Sequence, residues 1–373
     1  MSSSGGNNPP PLPLDIIKAI LRLLPAKSLG RFKSVSKTWR SLISDPQFIK
    51  THLHHQNHHK TKKLILLLTD DKSLHSVDIT HQSLNSNHDL SAIGNRIFPS
   101  TRIQWTMGSC NGIVSSEDEN GTVLLMNPTT KELWKVPPSR FTFPDPDSVI
   151  FLKHGFGYDS STDDYKIVTI WFWKTGRKSS YKVSVYSLRN NSWKELRNYV
   201  YDNVITIQFT GVLVNQNLHW LMRSPNGDPL MIVAFRLGNE DFKEIKLPPD
   251  AASVEKVGIG GYEELFSVGG KLGFFGTGGL GLWVMEEYGV GESWTKVCTD
   301  GIGINPFEHF SFIEGINGDI VLHGEDRVVV YNLDERRRRN VRIQGGPTAG
   351  IGIDMGVTYF ESLESPVKYA SRN

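Results

Sequence analysis

Five segments of this chain repeat one pattern, and the repeat limits the possible folds more than any other feature. The segments are 123–137, 183–196, 232–248, 282–297 and 328–343. Each is an apolar run, a polar turn and a second extended run. Their anchors Asn127, Tyr186, Phe235, Met285 and Tyr331 are 59, 49, 50 and 46 residues apart. In the first three, an aromatic residue followed by Lys stands seven positions after the anchor, at Trp134, Trp193 and Phe242. The fourth carries Trp294 two places later, and the fifth lacks the aromatic. Ahead of each unit lies another hairpin with turn residues at its centre, such as Asn111-Gly112 and Gly269-Gly270. Asn-Gly and Gly-Gly accept the positive φ that tight hairpins need. Two hairpins make four strands per unit, and four-stranded units at this period are the signature of propeller blades. Residues 64–79 and 356–363 supply strands for a further blade, completed by the returning chain end. The expected body is an all-β propeller of about six blades over residues 63–366, closed on itself so that no sheet edge is exposed. The regular place of Trp134, Trp193, Phe242 and Trp294 marks them as plugs between blades rather than ligand-stacking groups.

The first 62 residues differ in kind. Residues 1–11, rich in Ser, Gly, Asn and Pro, are expected to be a disordered lead; 12–52 to be helical; 53–62, His-rich, to be a linker; and 367–373 to be a tail. Pro13 suits a helix start. Ile16, Ile17, Ile20, Leu21 and Leu24 then follow at helical spacing, and Pro25 ends the run. Ser36 is placed to cap a third helix, and Asp45-Pro46 opens a last short turn. The fold class is therefore α+β multidomain, a small helical head before a propeller. About 40 residues make a small core, which favours docking of surplus apolar surface on a partner. Residues 1–62 hold ten Lys and Arg against Asp15 and Asp45, a net +8, whereas the remaining 31 basic and 37 acidic residues give −6. A basic head calls for an acidic partner: nucleic acid, membrane or acidic protein.

Several chemistries find no support. Cys110 and Cys298 are too few for a disulfide framework. The start has no apolar signal region, and the tightest apolar run, Leu64–Leu68, is too short to span a bilayer. A soluble protein of the cytoplasm or nucleus is expected. No Ser–His–acid set or carboxylate pair stands at a loop position, so no catalytic residue and no cofactor are assigned. His52, His54, His55, His58 and His59 do not match structural zinc spacing, so no metal site is assigned. Gly276 to Gly281 matches GxGxxG, but a strand rather than a helix follows, as in a hairpin. Arg336–Arg339 sits at the tip of the last hairpin as a charged turn. For target recognition, three connections are unusual: 140–151, 171–178 and 223–229. Within them Trp173 and Arg177 are the candidate contacts, since Trp and Arg are enriched in binding hot spots. The alternative is that Trp171 and Trp173 are buried between blades.

The head carries Leu12-Pro13, Asp15, an apolar helix ending in Leu24-Pro25, Lys27-Ser28-Leu29, Arg31-Phe32, Val35-Ser36-Lys37, Trp39, Leu42-Ile43 and Asp45-Pro46-x-Phe48. In this it resembles a plant F-box. The body resembles the kelch-like F-box-associated domain through the Gly108–Ile113, Asn127-Pro128-Thr129, Gly155–Ile167, Leu218-His219-Trp220 and Tyr359–Leu363 motifs. The resemblance implies a non-catalytic substrate receptor of an SCF ubiquitin ligase. Its helices would bind a Skp1-type adaptor, and through it a cullin and a RING protein, while its propeller would hold a target for ubiquitination. Leu12, Pro13, Ile16, Ile20, Leu24, Pro25, Leu29, Val35 and Trp39 match the family's adaptor-contacting positions, though some could serve only the helical core. No nucleic-acid or membrane partner is implied. The rival readings are a nucleic-acid-binding propeller protein using the basic head and a propeller enzyme.

Overall fold

The structure is a computed structural model. It describes residues 12–58, 63–79, 90–98, 100–139, 149–175, 178–196, 205–206, 210–223, 230–252, 263–276, 281–297, 311–313, 319–324, 328–333, 335–344 and 353–371.

The head has four helices: α1 (Leu14–Arg22), α2 (Ala26–Phe32), α3 (Lys37–Ile43) and α4 (Pro46–His58). Pro13 and Pro25 stand as the residues before α1 and α2. Ser36 caps α3 by accepting from the Trp39 N–H at 3.1 Å, and Asp45 Oδ1 accepts from the Phe48 N–H at 2.9 Å to start α4. The expected linker is corrected here: α4 continues through residues 53–58. It is anchored by buried His52, whose Nε2 donates to the Leu24 carbonyl at 2.9 Å. Burial lowers the His52 pKa, which favours this neutral form. Leu21, Ala26, Leu29, Ile43, Phe48 and Ile49 form the head core, with Phe32 and Trp39 edge to face beside it.

The body is a six-bladed propeller. Blade 1 contains β1 (Lys63–Thr69), β2 (Leu74–Ile79) and β3 (Leu90–Ile97). Blade 2 is β4 (Ile103–Cys110), β5 (Ile113–Asp118), β6 (Val123–Asn127) and β7 (Glu132–Lys135). Blade 3 is β8 (Val149–Asp159), β9 (Asp164–Thr175), β10 (Lys178–Ser187) and β11 (Ser192–Glu195). Blade 4 holds β12 (Ile205–Thr206), β13 (Val212–Val214), β14 (Asn217–Arg223), β15 (Met231–Arg236) and β16 (Asp241–Ile245), followed by a one-turn helix α5 (Pro249–Ala252). Blade 5 is β17 (Glu263–Val268), β18 (Lys271–Gly276), β19 (Gly281–Met285) and β20 (Trp294–Val297). Blade 6 is β21 (Ser311–Ile313), β22 (Ile320–His323), β23 (Val328–Asn332) and β24 (Arg337–Gln344).

The ring closes through β25 (Ile353–Phe360), which pairs antiparallel with β1 from Lys63↔Phe360 to Thr69↔Ile353. The chain end thus supplies the inner strand of blade 1, as the repeat predicts. A second link at this seam was not predicted. β24 runs parallel to β3 from Val341↔Leu90 to Gln344↔Ile93, which joins blades 6 and 1 into one eight-stranded sheet.

Six apolar clusters hold the ring together, one at each seam. Each is built from facing strands of neighbouring blades, so burial requires the neighbour. The repeated aromatics behave as expected of plugs. Trp134 Nε1 donates to Tyr186 Oη at 3.2 Å across the blade 2–3 seam. Trp193 Nε1 donates to the Pro137 carbonyl at 2.7 Å, and Trp294 Nε1 to the Lys246 carbonyl at 2.8 Å. Gly276 pairs with Gly281 between two strands, which agrees with the hairpin reading of the glycine-rich segment. Two expectations need correcting. Arg336 stands in the turn as expected, but Arg337–Arg339 lie within β24 and are half-buried, because the strand already pairs with β23 from Arg337 onward. Residues 367–370, expected as tail, belong to helix α6 (Pro366–Ala370), with Tyr369 and Ala370 buried.

Candidate functional site

Three-dimensional packing sorts the nine sequence-selected head residues. Leu12, Pro13, Ile16, Ile20, Pro25 and Val35 are exposed; Leu24 and Trp39 are half-buried; Leu29 is fully buried in the head core. Leu23, not selected from sequence, is the most exposed of the head's large hydrophobics described, at 67%. It stands three residues after Ile20 and seven after Ile16, so the three share one stripe of α1. That spacing was available in the sequence. Leu14 is exposed as well, but on the other flank of α1. There, with Lys18, Arg22, Leu42 and Phe48, it lines a groove of about 450 Å³ between α1, α3 and α4.

Among the described residues, nine large hydrophobics are exposed, and six of them are Leu12, Leu14, Ile16, Ile20, Leu23 and Val35. The head thus carries an exposed apolar surface, and its Lys27, Arg31, Lys37 and Arg40 are exposed as well. Such clustering is typical of a protein-docking surface, and the exposed basic residues favour an acidic partner.

The propeller has two distinct ends. Within a blade, strands alternate in direction, so the turns joining strands one to two and three to four share one end. The head packs at that end: Lys50 Nζ lies 2.7 Å from Asp163 Oδ2, in the turn between β8 and β9. The two strands then run from Asp159↔Asp164 to Val149↔Lys174, about 33 Å at 3.3 Å per residue. The unusual connections 140–151, 171–178 and 223–229 leave from the far end. Residues 140–148, 176–177, including Arg177, and 224–229 lie outside the described residues. Trp171 and Trp173 are half-buried, whereas Phe172 between them is buried and stacks on Tyr181 with centroids 5.7 Å apart. Trp105 is a large aromatic that sequence reasoning missed. It is exposed near the far-end start of β4, with register shifts on both sides of it. Bulges of this kind re-aim side chains at rims.

Two neighbouring features are structural. His219 is fully buried; its Nδ1 donates to the Val212 carbonyl and its Nε2 meets Tyr288 Oη, each at 2.9 Å. Burial pushes its pKa down to about 4, so it joins blades 4 and 5 as a neutral imidazole. Lys166 is buried between Asp159 and Glu240, each 3.0 Å away. No group of three or more His, Cys, Asp and Glu is placed to hold a metal among the described residues.

The family profile of the F-box domain matches residues 11–51, and that of the F-box associated beta propeller domain matches residues 54–366. The chain is 32% identical to the F-box protein CPR1 of Arabidopsis thaliana, over 77% of this chain and 72% of that one. It is 27% identical to an F-box/kelch-repeat protein of the same plant, over 78% and 80%. Helical head, apolar surface, propeller and relatives agree, and the chain belongs to the F-box proteins that carry an F-box-associated β-propeller domain.

Proposed function

We propose that this chain is the non-catalytic substrate-recognition subunit of an SCF-type E3 ubiquitin ligase, working in the cytoplasm or nucleus. The exposed apolar surface of the F-box carries this reading. Ile16, Ile20, Leu23, Leu12 and Val35, with Pro13 and Pro25, dock on a Skp1-type adaptor, while Leu29 supports them from the core. Leu24 and Trp39, half-buried, share both duties. The adaptor links the chain to a cullin and its RING protein. The propeller holds a target protein at its far end, where Trp173, Arg177 and Trp105 are the candidate contacts. The ligase then works by proximity, raising the effective concentration of target lysines at the charged conjugating enzyme.

Affinity purification of the full chain from cells with proteasome activity blocked tests this reading. The adaptor and cullin are expected in stoichiometric yield, along with proteins enriched for ubiquitin remnants. A chain that purifies without adaptor would overturn it.

A further inference from the structure

We propose that residues 361–371 are a fixed coupler between the F-box and the propeller, with Lys50, Asp163, Leu363 and Tyr369 as positioning residues that set the direction in which the propeller presents its target. The functional half of this proposal rests on the substrate-receptor reading; the coupling half does not.

The segment follows directly on the ring-closing strand β25. Ser362, Leu363, Glu364, Ser365 and Pro366 are buried. Leu363 completes the core of the F-box, packing with Leu21, Leu29, Ile43 and Phe48. Six residues later Tyr369, joined by Ala370, enters the seam of blades 2 and 3 beside Phe156 and Tyr165. The Tyr165 and Tyr369 rings meet edge to face, with centroids 5.0 Å apart. One short stretch is therefore shared between two hydrophobic cores. A solvated flexible linker would leave the two domains free to reorient, whereas reorienting here would expose apolar surface at one core or the other.

Polar contacts fix the geometry. Asn127 Nδ2 donates to the Glu364 carbonyl at 2.7 Å and to Ser362 O and Oγ at 3.1 and 3.2 Å. Its Oδ1 accepts from the Thr129 and Thr130 N–H groups, so the side chain is held from both ends. Gly112, at φ +78, lies so close that a Cβ there would sit 2.4 Å from Ser362 Oγ and 2.6 Å from the Phe360 carbonyl. Asp163 is the common anchor. It accepts from Lys50 of the F-box at 2.7 Å, from Tyr369 Oη of the coupler at 3.1 Å and from Tyr158 Oη of blade 3 at 2.6 Å. Arg189 lies 3.5 Å away. Lys368 Nζ reaches the Ser44 carbonyl at 3.5 Å. A partly exposed ion pair adds little stability, so the Lys50–Asp163 pair matters chiefly for direction.

The experiment places nitroxide labels at His54→Cys and Thr295→Cys, both exposed, in full-length protein carrying Cys110→Ala and Cys298→Ser. The distance distribution is measured in the free full-length protein and again in complex with the adaptor. One narrow distance is expected, retained in Lys50→Arg. Lys50→Glu sets two negative charges against each other and broadens it, and Leu363→Ala in addition broadens it further. Lys50→Glu alone keeps the test decisive if the double variant folds poorly. A broad distribution in the parent protein, or a narrow one in Lys50→Glu, overturns the coupler.

In a second arm, the complex with cullin, RING protein, conjugating enzyme and ubiquitin is assayed for which of the receptor's own propeller lysines are modified. Fixed coupling predicts a few preferred lysines. In Lys50→Glu the preferred one should lose at least about fivefold in rate, through lower effective concentration, while adaptor affinity is unchanged and Lys50→Arg restores the pattern. An unaltered pattern in a variant of broadened distance overturns the positioning role. Failure to bind the adaptor at all instead overturns the receptor reading, and the distance arm still decides the coupling.

Discussion

Leu23 and Leu29 lie six residues apart and do opposite things. Leu23 is two-thirds exposed, whereas Leu29 has no exposed surface. Periodicity showed that α1 had an apolar side, but it spread wider than one core-facing stripe, with Ile16 and Ile20 beside Ile17, Leu21 and Leu24. Which flank faced the core depends on where α2 and α4 pack, and that is set by contacts such as His52 with the Leu24 carbonyl. Truncating Leu29 to Ala should cost about 2–5 kcal/mol, read as loss of the F-box from the cooperative melt. A melt unchanged within error would place Leu29 outside the core.

Strands and hairpins were more legible than helices, because their signals are local. Asn111-Gly112, Asn215-Gln216 and Gly269-Gly270 all adopt positive φ in the turns that the sequence pattern marks. The His-rich end of α4 concealed a helix because its polar composition resembles a linker. Helix α6 was hidden because its burial comes from distant residues such as Phe156 and Tyr165. The parallel pairing of β24 with β3 has no local signal at all. Two predictions belong to this scale. Deleting residues 353–373 removes β25 and α6 together, and should yield insoluble protein or a body with no cooperative transition; a soluble truncation with the parent melting temperature would contradict end-to-end closure. Gly112→Ala should lower the melting temperature through its clash with Ser362 and its positive φ, with the largest loss of hydrogen-exchange protection at residues 360–366. Protection lost equally throughout the ring would contradict a local clash.

For the whole molecule, two ends divide the work: F-box and coupler at one, the long connections at the other. The seams also make stability depend on pH. Burial pushes the pKa of both His219 and His323 from 6.5 down to about 4. Between those values the unfolded chain binds protons that the folded chain does not, so stability falls as pH drops from about 6.5 towards 4. Each histidine contributes a slope of about 1.4 kcal/mol per pH unit. Denaturant titrations should show it, and a flat profile from pH 6.5 to 4.5 would mean that both imidazoles are solvated.

The central claim, that the apolar face of the F-box is a docking surface rather than incomplete packing, is tested most directly by the affinity of the full chain for a purified Skp1-type adaptor. Ile20→Asp with Leu23→Asp puts two charges into that face without touching the core. Loss of two anchors of about 1.5 kcal/mol or more each should weaken binding by at least about 100-fold, with the melting temperature unchanged. Parent-like affinity in the folded double variant would contradict the account.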